Sequence, residues 1–232
     1  LEELGWHIIR SLIAIISAGF ICFLMKDFIF DTIIFGPKKM DFPTYKFLCQ
    51  TATFIGVETT FCGDEFPFTV QNRTMAGQFS AHVMTSIISG FIISFPYILY
   101  EFWKFISPGL LEKEKAKSRG FIFVSSMLFF IGVLFGYYII SPLSINFLGT
   151  YQVSSQVLNE IDLGSFISLV RSSAIASGII FELPIIIYFL TKAGVVTPES
   201  LVKYRKYALV LVLVLAAIIT PPDVASQIIV AI

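Results

Sequence analysis

The sequence predicts an all-α membrane protein, a single bundle of six transmembrane helices with both ends on the cytoplasmic side. Three observations predict it. Of 232 residues, 56% are hydrophobic and only 14% charged, with a mean hydropathy of +0.84, where a soluble domain carries roughly 25% charged residues. The apolar residues gather into runs near the ~20 residues needed to cross a bilayer core of about 30 Å. Between the runs, Lys and Arg fall alternately on one side, and such clusters mark cytoplasmic loops. This composition excludes a soluble enzyme, a disordered linker and a disulfide-rich miniprotein. The balance of 16 basic against 16 acidic residues gives no reason to expect a nucleic-acid partner.

The first span is expected over 6–25, with Arg10 near its start and able to snorkel. The second runs over 74–103, free of formal charge up to Glu101 and containing His82. The third covers 120–141 and is expected to stop at Pro142. The fourth, 163–190, carries Arg171 and Glu182. The fifth, 207–220, is short and ends at Pro221-Pro222-Asp223; the sixth, 224–232, is cut off. Leu1 in place of Met, and Ile232 inside an apolar run, read as an excerpt at both ends of one integral membrane domain, 1–232.

The loops sort by charge. Loop 104–119 holds Lys104, Lys113, Lys115, Lys117 and Arg119, and segment 192–206 holds Lys192, Lys203, Arg205 and Lys206. Segment 142–162 has no basic residue, and the acids of loop 27–73 outnumber its cations. The amino end, 104–119 and 192–206 are therefore expected in the cytoplasm, with 27–73 and 142–162 outside. Cys49 and Cys62 both lie in the outward loop, which in a bacterium faces an oxidising compartment. A Cys49–Cys62 disulfide is expected there, two free thiols being the alternative. Cys22 lies in the first span and reads as packing.

No motif for hydrolysis, nucleotide binding or metal ligation is present, so neither an enzyme nor a cofactor is expected. His7 and His82 fall at opposite ends of their spans and read as interfacial or packing residues. Gly132 and Gly136 have the small-xxx-small spacing that packs helices together. Glu182, in Phe181-Glu182-Leu183-Pro184, is the strongest signal, because a carboxylate at that depth must be paired, protonated or hydrated. Arg171, eleven residues earlier, returns to within about 20° of the same helix face, roughly 16 Å away. The two are expected to line one wet concavity at different depths. A Glu neutralised by a neighbouring helix for folding alone is the other reading. Glu112 and Glu114, with Glu2 and Glu3, form an acidic island on the cytoplasmic side. It suits a guanidinium-bearing ligand, since a carboxylate accepts a two-point fork from arginine, or it is simply a solvated face. Thr197-Pro198-Glu199 is a helix start.

The stretch from Pro96 to Glu114, then Phe181-Glu182-Leu183-Pro184, Lys192-Ala193-Gly194-Val195-Val196-Thr197-Pro198-Glu199 and Thr220-Pro221-Pro222-Asp223-Val224-Ala225-Ser226-Gln227, resembles the TatC family. That family is the multispanning core of the twin-arginine protein translocase. The resemblance implies a concave, glove-like six-helix bundle with short fifth and sixth helices in the bacterial inner membrane. It implies a receptor for twin-arginine signal peptides of folded cargo, working with single-span TatA-type and TatB-type subunits in a complex that can hold several copies of the chain. Its signal-peptide residues match Glu3, Glu114 and Phe105, its intramembrane glutamate matches Glu182, and its outward acid and glutamine match Asp223 and Gln227. Gly5 and His7 stand where the family carries arginines, Ala76-Gly77-Gln78 departs at the start of the second span, and loop 27–73 is longer. The competing reading from composition and topology is a proton-coupled small-solute transporter using Glu182.

Overall fold

The computed structural model describes residues 2–55, 62, 63, 66–106, 118–154, 156, 157, 159–192 and 206. Glu114, Asp223, Gln227, the fifth and sixth expected spans and the Thr197-Pro198-Glu199 helix start lie outside the described residues. Four helical runs are long and apolar enough to cross a bilayer: Glu3–Leu24, Gly77–Ile106, Gly120–Thr150 and Leu163–Thr191. They correspond to the first four expected spans.

The first, α1 (Glu2–Leu24), lies antiparallel to α3 (Gly77–Ile106). The register is visible in the contacts along the pair. His7 meets Glu101, the Ser94 hydroxyl donates to Ala14 O, and His82 meets Phe23. Midway the backbones touch. A Cβ on Gly90 would lie 2.5 Å from Gly19 N, so only a residue without a side chain fits there. The opposite face of α1 presents Leu12, Ile13, Ile16, Phe20 and Leu24 outward, an apolar surface that water would not tolerate and lipid would.

A second antiparallel pair joins α4 (Ser118–Phe135) to α6 (Leu163–Phe181). Ser125, Phe129 and Gly132 recur every three or four residues and form one face of α4, which Gly136 continues just past its end. Gly132 abuts Ser177 O, and Gly136 abuts Ser173 O, where an added Cβ would come within 2.3 Å. The expected helix-packing role of the two glycines is seen here. Asp162 starts α6 by accepting hydrogen bonds from the Gly164 and Ser165 amides. Phe95 of α3 stacks on Phe129 at 3.5 Å between ring centroids and couples the two pairs.

Two expectations need correction. The third span does not stop at Pro142. It passes through a wide π turn, Gly136–Ile140, into α5 (Ser141–Thr150). Proline lacks an N–H and its ring crowds the carbonyl four residues back, which here belongs to Tyr138. The π turn opens the ladder just before the proline, and Pro142 falls in the first turn of α5, where no donor is needed. Tyr138 O then accepts from the Thr44 hydroxyl instead.

The segment 27–73 is also not a plain loop. It contains a π turn over Phe28–Ile34, a 3-10 turn over Gly36–Lys38, helix α2 (Pro43–Ile55) and strand β1 (Phe68–Gln71). Tyr45, fully buried, anchors α2 through its hydroxyl against Pro37 O and Pro142 O, each at 2.9 Å. Burial pushes this phenol above its ordinary pKa. Cys49 and Cys62 are bonded, with Cα atoms 5.1 Å apart. Strand β1 pairs in parallel with β2 (Asn159–Asp162), in register from Phe68 with Asn159 to Gln71 with Asp162. Segments 27–73 and 142–162 thus share one end of the bundle. Beneath them Ile34, Phe68, Phe166, Ile167 and Val170 form the largest buried apolar cluster among the described residues.

Candidate functional site

Two polar places in the bundle stand out among the described residues. The first lies where the amino end of α1 meets the carboxy end of α3. Glu101 is only 3% exposed, although it belongs to the last turns of α3. An ionised carboxylate can only accept, so the His7 Nδ1–H donates to Glu101 Oε2, at 2.5 Å. Arg10 Nη1 stands 3.9 Å from the same oxygen, and the Tyr97 hydroxyl, one turn earlier on α3, also meets the carboxylate. The His7 ring sits edge-on to Phe105, with centroids 6.1 Å apart. Glu3 is exposed one helical turn before His7.

The second place is the break between α6 and α7 (Leu183–Lys192). Pro184 supplies no N–H to Ile180 O, and the Glu182 N–H turns to Ile179 O at 3.1 Å, tightening the last turn of α6. Glu182 is 8% exposed. The Ser125 hydroxyl donates to its Oε2, whereas Oε1 has no hydrogen-bond partner among the described residues. The carboxylate is therefore half-satisfied, turned across the α4–α6 seam.

Not every expected neighbour is brought together. Arg171 is half-buried in an apolar groove of about 440 Å³ with Ile88, Ser168, Ile175 and Ile179. Glu182 turns to Ser125 instead and is not among the residues lining that groove, so among the described residues the two do not share it. The estimate from helix phase fails because α6 ends at Phe181 and Glu182 sits in the break. His82 is a packing residue as expected: its ring stacks on Phe23 at 4.0 Å and its Nε2 reaches Phe23 O at 3.0 Å. Sequence reasoning missed Glu101. It is the only formal charge in 74–103 and lies four residues after Tyr97. Its pairing with His7 emerges only once α1 and α3 are laid antiparallel in register.

The family model described as "Sec-independent protein translocase protein (TatC)" matches residues 1–232. The chain belongs to the TatC family. It is 46% identical over 231 residues to the Sec-independent protein translocase protein TatC of Blattabacterium sp. subsp. Periplaneta americana, covering 99% of this chain and 87% of that one. Identity to the TatC of Aquifex aeolicus is 35% over 235 residues, with 100% and 87% covered. Two crystal structures titled as the twin arginine translocase receptor TatC superpose over the whole chain. The TM-score is 0.73 at 31% identity for one, and 0.77 at 34% identity for the other, in DDM; 91% and 92% of those chains are covered. This TatC chain is a membrane protein and a core component of the protein translocase. The small-solute transporter reading gains no support.

Proposed function

We propose that this TatC chain is the receptor for twin-arginine signal peptides in the inner membrane, and that it carries out no catalytic step. Its six spans form a concave, glove-like bundle with short fifth and sixth helices and both ends in the cytoplasm. Glu3 and Glu114 accept the guanidinium forks of the two arginines, and Phe105 packs against the peptide beside them. Glu182 meets a polar group of the signal peptide or of a single-span TatA-type or TatB-type subunit, while Asp223 and Gln227 serve the outward side. Folded cargo is the substrate, and several copies of the chain share one complex.

The observation that supports this reading is local. The amino end of α1 and the carboxy end of α3 meet, bringing Glu3, one turn beyond His7, toward the Phe105 ring that His7 touches. A carboxylate beside an exposed aromatic suits a guanidinium, which can pair with one and stack on the other. A half-satisfied Glu182 also suits an incoming polar partner, because an unpaired carboxylate at that depth costs about 2.5–3.5 kcal/mol on insertion scales.

The test is site-specific photocrosslinking in native membranes. A photoreactive side chain at position 4 or 106 should capture a twin-arginine signal peptide, and substituting lysines for its two arginines should abolish capture. Equal capture of both peptides would overturn the receptor reading.

A further inference from the structure

We propose that His7 and Glu101 are positioning residues for the signal-peptide site, a clasp that holds Glu3 and Phe105 at a fixed separation. The inference rests on the receptor reading above for what the site binds, but not for the clasp itself. The geometry is symmetrical about the pair. Glu3 precedes His7 by four residues, and Phe105 follows Glu101 by four. In an α-helix that spacing is about one turn along the same face. The helices run antiparallel, so the bonded pair lies one turn inside the two residues assigned to the peptide.

The clasp is built to hold. Glu101 is almost wholly buried; its donor, His7 Nδ1, and the Arg10 guanidinium 3.9 Å away both come from the other helix. The Tyr97 hydroxyl, on its own helix, adds a further neighbour to the carboxylate. Among the described residues, little else keeps the first turn of α1 in place. A Cβ on Gly5 would meet nothing within 4 Å, and Trp6, Ile8 and Ile9 are exposed. Glycine is also the poorest helix former after proline. A helix end held by few contacts frays, and a frayed first turn would carry Glu3 away from Phe105. Among the described residues, the His7–Glu101 bond, with the Arg10 ion pair beside it, opposes that fraying.

The experiment uses the full chain in nanodiscs with Glu3→Cys and Phe105→Cys, and a short bismaleimide as reporter of their separation. Cys22 is buried and Cys49 is bonded to Cys62, so the background is low. His7→Ala or Glu101→Ala should cut the crosslink yield at least fivefold, and His7→Arg, which still donates to the carboxylate, should retain it. In chains with Glu3 and Phe105 intact, His7→Ala should weaken twin-arginine peptide binding about tenfold. His7→Arg should stay within twofold of the parent, and His7→Ala/Glu101→Ala should be no weaker than His7→Ala alone. Crosslinking that is indifferent to both substitutions overturns the clasp, whatever the peptide does. A crosslink lost in His7→Ala and not restored by His7→Arg also counts against it, since general destabilisation would then suffice. A parent chain that crosslinks as expected but binds no twin-arginine peptide retains the clasp and overturns the receptor reading.

Discussion

Replacing Ser125 by alanine isolates one bond at the α4–α6 seam. Ser125 is fully buried, its hydroxyl donates to Glu182 Oε2, and Oε1 has no partner among the described residues. Ser125→Ala therefore leaves a buried carboxyl without a described side-chain donor, and abandoning one partner of a buried polar pair costs about 1–3 kcal/mol. For a chain of this size each kcal/mol moves the unfolding midpoint by roughly 2–4 °C, so a fall of roughly 2–12 °C is expected. Removing both partners is different: Ser125→Ala/Glu182→Leu should return most of that loss, because two apolar groups in place of a polar pair are close to neutral. Glu182→Gln keeps an acceptor for Ser125 and should be milder than Glu182→Ala. Cys22 provides the assay. It is the free cysteine and is 5% exposed, so a thiol-reactive fluorophore reports unfolding in detergent. Transport by the same variants separates scaffold from site: Glu182→Ala should leave a folded protein that fails in transport or partner assembly. An unchanged midpoint for Ser125→Ala, or a double variant worse than the single one, would refute this reasoning.

Four further outcomes are expected. Gly136→Val must push α4 off α6, since its Cβ would fall 2.3 Å from Ser173 O; overpacking of this kind costs about 1–3 kcal/mol, read from the same Cys22 assay, and an unshifted midpoint would contradict the close approach. Cys49→Ser/Cys62→Ser should lose about 3 kcal/mol of local stability on the chain-entropy estimate for a loop of this length, seen as faster proteolysis of the 43–63 segment; equal proteolysis with and without reductant would speak against it. The Tyr45 phenol is raised in the folded state. Above the ordinary phenol value of about 10 the unfolded chain therefore holds fewer protons than the folded one, so stability should fall as pH rises through that range; Tyr45→Phe should flatten this slope in alkaline unfolding curves. Glu3→Ala and Glu114→Ala should each weaken signal-peptide binding tenfold or more, by an amount that shrinks as salt rises; unchanged titrations for both would leave the acidic island a solvated face.

The four described spans were legible because each is a sustained apolar run, and burial in lipid leaves no competing local rule. Gly132 and Gly136 were legible as packing residues because their spacing states a helix face. Pro142 misled because a proline signals a missing donor but not how the chain repairs it. The π turn before it and Thr44, nearly a hundred residues upstream, are tertiary solutions. Helix α2 was hidden inside a polar segment; its burial rests on Tyr45 and Ala52, too few residues to set a period. Glu182 stood out on charge alone. Glu101 did not, because it lies near the end of its span, where a carboxylate is unremarked until its partner helix is in register.

The parallel pairing of β1 with β2 has a consequence for biogenesis. The bond between Arg73 and Glu160 joins residues 87 positions apart, and the chain between them leaves through one membrane span and returns through another. Closing so long a loop adds only a modest entropic cost over a shorter one, but contacts of such separation form late. The ladder cannot form until both spans are inserted and both segments have reached the same compartment. A molecule inserted with one hairpin inverted would lack it and would expose Phe68 and Phe166, both buried beneath the ladder in the native fold. Four residues of sheet thus tie the two outer segments together only when both flanking spans have taken their native topology.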